Sequence, residues 1–246
     1  MSPRTLPTAY RRLSNRPAVA VKPALLAIAH GSRDPRHAAA LHRLLDAVRR
    51  ARPSLSAQLG FLDLCGPDVP TAFARLAAAG AEDVAVVPLF LNHGYHVGHD
   101  IPMVTEQARL ALPHAPSLSI APPLGPDPLL SDAVERRLRE QGVSTTDPHV
   151  HMIVASATSA PTHEMIKNLT EQDQDAARIA VASYFLAPGL LYDRARADAL
   201  AANVPIAAPL TTPDDEPPAE LVRLVLARYA QATAHQPALS SAGVGT

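Results

Sequence analysis

Short apolar runs alternate along this chain with stretches whose apolar residues recur every three or four positions. The first run is Ala24–Ala29, read ALLAIA, and it predicts a buried strand. Pro35 then opens a helix with Ala38, Leu41, Leu44, Leu45 and Val48 on one face and Arg43, Arg49 and Arg50 on the other, and Pro53 ends it. A second strand is predicted over 55–64. A helix over 69–79 follows, with Asp68 as its N-cap and Gly80 where a C-cap glycine belongs. A third strand covers 84–91 and is apolar throughout, as in a sheet covered on both faces. Asp100 is read as the N-cap of a helix over 101–112, which Pro113 stops. A fourth strand over 117–121 and a helix over 128–139 complete the series. Four strand–helix pairs in succession imply a parallel sheet with right-handed crossovers, and ligands in such sheets bind at the carboxyl ends of the strands.

The pattern then restarts. Residues 152–156 can be laid on 26–30, with Pro161 on Pro35. Residues 181–189 lie on 86–94, matched at Phe-Leu-x-x-Gly, and 206–210 lie on 120–124. Three ordered matches point to an internal repeat. The spacing between Pro161 and Ala177 leaves room for one helix only, so the second copy lacks a strand and a helix. It also lacks the histidines: this alignment places Ser156 against His30 and Leu191 against His96. The expectation is an α/β protein of two flavodoxin-like halves, each a parallel sheet flanked by helices, the second half reduced, with a cleft between them. Residues 1–22 read as a flexible leader, 23–143 as the working half, 148–231 as the degenerate repeat and 232–246 as a flexible tail.

Composition narrows the function more than the fold. The 246 residues carry a net charge of −1, which gives no electrostatic ground for a nucleic-acid or membrane partner. One cysteine, Cys65, excludes an intrachain disulfide framework, and no apolar run reaches the roughly 20 residues of a membrane helix. The apolar stretch 18–21 is too short for a signal peptide, so a cytoplasmic location is expected.

The eleven histidines, by contrast, are clustered. His30 ends the first strand in His-Gly-Ser-Arg-Asp-Pro. His93, His96 and His99 follow the third strand in Asn-His-Gly-Tyr-His-Val-Gly-His-Asp-Ile-Pro. Two imidazoles meeting at a strand rim would bind a borderline divalent ion such as Fe²⁺ or Co²⁺ and leave coordination positions open. His30 and His96 are the pair; His93 and His99 are not assigned as ligands. Asp63, at the end of the second strand, reads as a third metal contact, as a base that takes protons from a substrate, or as an acid bonding the amides of its own loop. Gly31, Ser32 and Arg33 form a strand-to-helix turn that offers free amides and a guanidinium to an anion. Dinucleotide and P-loop fingerprints are missing.

The segments LLAIAHGSRDP, FLDLCGP and VPLFLNHGYHVGHDIP resemble the CbiX/SirB-type sirohydrochlorin chelatases, within the class II chelatases. The likeness runs from about Ala24 to Leu138. It implies insertion of Fe²⁺ or Co²⁺ into a sirohydrochlorin-type tetrapyrrole, in siroheme or cobalamin biosynthesis, with the metal as substrate and no organic cofactor. It implies that His30 and His96 hold the metal and that the family's acidic residue after the second strand, usually Glu, falls on Asp63. Gly31, Ser32, Arg33, Gly94 and Tyr95 are then the substrate-binding residues. The rival expectation is a non-catalytic carrier of metal or tetrapyrrole.

Overall fold

The computed structural model describes residues 22–172 and 178–234. The expected leader therefore lies almost wholly outside the described residues, as do positions 235–246 of the tail. The first half is β1 (Ala24–Ala29), α1 (Pro35–Ala51), β2 (Ala57–Phe61), α2 (Val69–Ala78), β3 (Asp83–Pro88), a π-helical turn (His96–Asp100), α3 (Ile101–Leu110), β4 (Ser117–Ile120) and α4 (Pro128–Glu140). All its strand pairs are parallel, in the order β2-β1-β3-β4. Side chains alternate across β1. Leu25, Ala27 and Ala29 join the core on the α1 face, whereas Leu26 and Ile28 pack with Phe73, Leu76 and Ile101 of α2 and α3.

Two elements are shorter than the apolar pattern suggests. β2 stops at Phe61, because the chain turns away: Leu64 takes φ +67° and the Phe61 amide donates to the Pro67 carbonyl. β3 stops at Pro88; Leu89 still donates to the Ile28 carbonyl at 2.7 Å and is buried in the core. At Asp68 the expectation holds, with the Thr71 amide donating to its carboxylate, and Gly80 has the positive φ of a helix stop.

The second half is β5 (Val150–Ser156), α5 (Thr162–Gln172), β6 (Arg178–Tyr184), α6 (Leu190–Ala201) and α7 (Ala219–Ala234). β5 and β6 pair in parallel, and Ile206 bridges β6 where β4 would stand. The backbone repeats in detail. Ala207 donates to the Val181 carbonyl at 2.9 Å, as Ala121 does to Val86 at 2.8 Å.

Strand pairing corrects the sequence alignment by one residue. Val86 pairs with Leu26, and its counterpart Val181 pairs with Ile153. Ile153 therefore matches Leu26, and the position of His30 falls to Ala157 rather than Ser156. A slip of one residue exchanges the two faces of a strand, so the correction matters. The helix match also shifts. α5 packs on α6 as α2 packs on α3. A right-handed crossover leading straight from β5 to its neighbour β6 lies on that face, whereas α1 leads outward to β2 on the other. The missing elements are thus the counterparts of α1 and β2, and Pro161 was matched to a proline of a non-equivalent helix. With no α1 over it, the other face of β5 is bare: Met152 is 47% and Val154 53% exposed, where their counterparts Leu25 and Ala27 are buried.

The halves exchange their last helices. α4 packs on β6, with Leu138 against Ala180, Ala182 and Ala207. α7 packs on β3, α1 and α4, and Leu221, Leu224, Val225 and Tyr229 complete the core of the first half. α7 also runs to Ala234, past the expected start of the tail. Buried Arg228 ties it down, donating to the carbonyls of Pro123 (2.7 Å) and Leu124 (2.9 Å) and pairing with Asp127 at 2.9 Å.

Candidate active site at the strand rim

His30 is the first residue beyond β1. The ladder continues around it: Leu62 donates to the Ala29 carbonyl at 3.0 Å and Asp63 to the His30 carbonyl at 2.9 Å. Gly31 then turns with φ +98°. A methyl group there would lie 1.9 Å from the Asp63 carbonyl oxygen, so only glycine lets the chain leave the sheet at this point. Beyond β3, the loop through Asn92 and Gly94 enters the π-helical turn. The turn is anchored by buried Val97 and Ile101, which leaves His96 at the rim.

The two histidines meet. Their ring centroids are 4.7 Å apart, at an interplanar angle of 75°. His96 Nδ1 lies 2.6 Å from Asp100 Oδ2, and His30 Nδ1 lies 3.3 Å from the Gly31 carbonyl. A carboxylate only accepts, so the Nδ1 of His96 carries a proton and Nε2 is the nitrogen its neutral ring presents to a metal; the longer His30 contact fixes that ring's tautomer less firmly. Imidazoles bound to one ion at about 2.0–2.1 Å per nitrogen, with bond angles between square and tetrahedral, hold their ring centres roughly 4.5–5 Å apart.

Asp100 does not cap the helix. Its backbone is already helical (φ −70°, ψ −42°), because the π turn starts the helix before it, and its side chain makes no capping bond. The i,i+4 spacing of His96 and Asp100 was visible in the sequence and is the signal that would have found their pairing.

Asp63 is not gathered with the histidines. Its Oδ1 accepts from the Leu64 amide at 2.7 Å, which fits the loop reading of this acid, and its side chain faces solvent. Among the described residues, no three His, Cys, Asp or Glu side chains are grouped to hold a metal ion.

Two of the anticipated substrate contacts border a cavity between the halves. Gly31 and Ser32 face Pro188, Gly189, Leu190 and Leu191 of the second half across a cavity of about 290 Å³. Arg33 and Gly94 are exposed, and Tyr95 is 72% exposed, its ring centroid 6.4 Å from that of His96. Leu190 and Leu191 also show large apolar surface.

Sequence reasoning missed the groups that fix this mouth. Arg36 bridges Asp34 and Asp193, each at 2.5 Å, and its guanidinium holds the Asp34 carboxyl below the usual carboxylate range. His37 Nδ1 lies 3.3 Å from the Pro188 carbonyl, and Tyr184 donates its hydroxyl to the Leu91 carbonyl at 3.2 Å.

Known proteins share both the sequence and the fold. A family model described as CbiX matches residues 24–141. A sirohydrochlorin cobaltochelatase of Methanosarcina acetivorans is 30% identical over 122 residues, covering 47% of this chain and 94% of that protein. The one from Methanothermobacter thermautotrophicus is 38% identical over 80 residues, 32% of this chain, and there the chain spans about half of the relative's length (55%). The solved structure of SirB from Bacillus subtilis with Fe³⁺ superposes with a TM-score of 0.69 at 21% identity, over 87% of this chain and 96% of that one. The likeness of fold thus extends well into the second half.

Proposed function

The chain belongs to the CbiX family, and from that premise we propose that it is a sirohydrochlorin chelatase, inserting Fe²⁺ or Co²⁺ into the tetrapyrrole. The observation that carries the reading is the meeting of His30 and His96, from two separate strand ends, with their ring centroids 4.7 Å apart and the Nδ1 of His96 held by Asp100. Two neutral nitrogen donors suit borderline divalent ions and leave most of the coordination sphere open, so an incoming ligand can take the ion over. Iron and cobalt both fit this donor set.

The polyacidic macrocycle enters between the halves. Its carboxylates meet the amides of Gly31 and Ser32 and the guanidinium of Arg33, and its apolar face meets Tyr95, Leu190 and Leu191. As the ion passes from imidazole to pyrrole nitrogens, two pyrrolic N–H protons leave, so a dication replaces two protons and charge balances. An Nε2 that still binds the ion has no lone pair for a proton. Each histidine is thus a ligand first and a base only after it lets go.

The test is turnover. With protein well below substrate, the absorbance of sirohydrochlorin is followed on adding Co²⁺ under anaerobic conditions. Repeated turnovers above the protein-free rate are expected, and the rate should fall to that blank in His30→Ala and in His96→Ala. One equivalent of product per protein would mark a carrier instead, and near-normal turnover in either variant would refute the assignment.

A further inference from the structure

Asp100 is spent on one bond. Among the described residues it neither caps α3 nor pairs with an arginine or lysine; its Oδ2 faces the Nδ1 of His96 at 2.6 Å. The two residues share one face of the helical turn, where residues four apart are neighbours, and Ile101 bonds back to the His96 carbonyl. His30 has nothing equivalent. Its Nδ1 has the neighbouring Gly31 carbonyl at 3.3 Å, an uncharged acceptor at the edge of bonding distance. The two rings are therefore unequal. A carboxylate on Nδ1 locks the tautomer and ring orientation and makes Nε2 the better donor; a distant carbonyl does little of either.

We propose that Asp100 is a positioning residue that holds His96 as the Nδ1–H tautomer, so that His96 is the retaining ligand for the divalent ion and His30 the one that yields first to the macrocycle. The proposal rests on the chelatase reading of this pair. It gives the site a direction: the ion stays anchored at His96 while its coordination opens on the His30 side.

The experiment separates Asp100 from the chelatase assignment. Histidine ring ¹⁵N shifts are recorded on the metal-free protein, and Co²⁺ affinity is measured by calorimetry without tetrapyrrole, for wild type, Asp100→Ala, Asp100→Asn, His30→Ala and His96→Ala. His96 should be the Nδ1–H tautomer in wild type and in Asp100→Asn, whose amide oxygen still accepts, and should turn to a mixture with the Nε2–H form in Asp100→Ala. Co²⁺ affinity should fall about 10–100-fold in Asp100→Ala, with Asp100→Asn between. His30→Ala should weaken Co²⁺ binding less than His96→Ala does. An unchanged tautomer in Asp100→Ala, or Co²⁺ affinity there within twofold of wild type, would overturn the proposal, as would equal losses from the two histidines. Failure of wild-type protein to bind Co²⁺ at all would sink the chelatase reading, while the ¹⁵N spectra would still decide what Asp100 does to His96.

Discussion

His37 shows how a residue outside the metal pair can set conditions for the whole site. Burial holds its imidazole below the ordinary value of 6.5, partly offset by the bond to the Pro188 carbonyl, and its Nε2 is buried without a partner. The folded state therefore resists protonating it. As pH falls below about 6.5, the unfolded chain takes up a proton that the folded chain refuses, so stability drops; above that value His37 contributes no pH dependence. Urea unfolding of wild type and His37→Gln between pH 7.5 and 5 should show the shallower loss in the variant. Parallel curves would mean that burial does not keep the imidazole from taking up a proton. The pair His30–His96 was legible at this scale, because each residue sits at the end of an apolar run. The pairing of His96 with Asp100 was present as an i,i+4 spacing, but Asp100 before Ile101-Pro102 also has the sequence of an N-cap, and the helical turn that begins at His96 decides between the two.

Strand β5 is the element whose reading changed most. In sequence it echoes β1, but its pairing with β6 shifts the match by one residue, and loss of the α1 and β2 counterparts leaves Met152 and Val154 in water. Equivalent positions should then have unequal value. Leu25→Ala should cost about 2–5 kcal/mol, by removing buried methyl groups and leaving a cavity. Met152→Ala should stay within about 0.5 kcal/mol, as exposed substitutions do. Chemical denaturation of both variants checks this, and comparable losses would show that the bare face is covered in solution. Alternation of apolar residues could not reveal the difference, since it records which faces tend toward apolar contact and not whether a helix is there to meet them.

At the scale of the molecule, the exchange of α4 and α7 decides what can fold alone. The first half carries the histidines, yet the apolar faces of β1, β3 and α1 are closed by α7, from the far end of the chain. A fragment ending at position 143 should lack that cover, bind a hydrophobic dye and self-associate on a sizing column. A monomeric fragment with the thermal stability of the full chain would show α7 to be dispensable.

The sequence by itself determined the alternation of strands and helices, the repeat, and the two rim positions for imidazole, because period and local turn chemistry are properties of neighbouring residues. Only the tertiary structure decided which helix covers which sheet and which side of β5 is left bare. Those outcomes depend on contacts between residues far apart in the chain, and on a register in which a shift of one position turns every side chain to the opposite face.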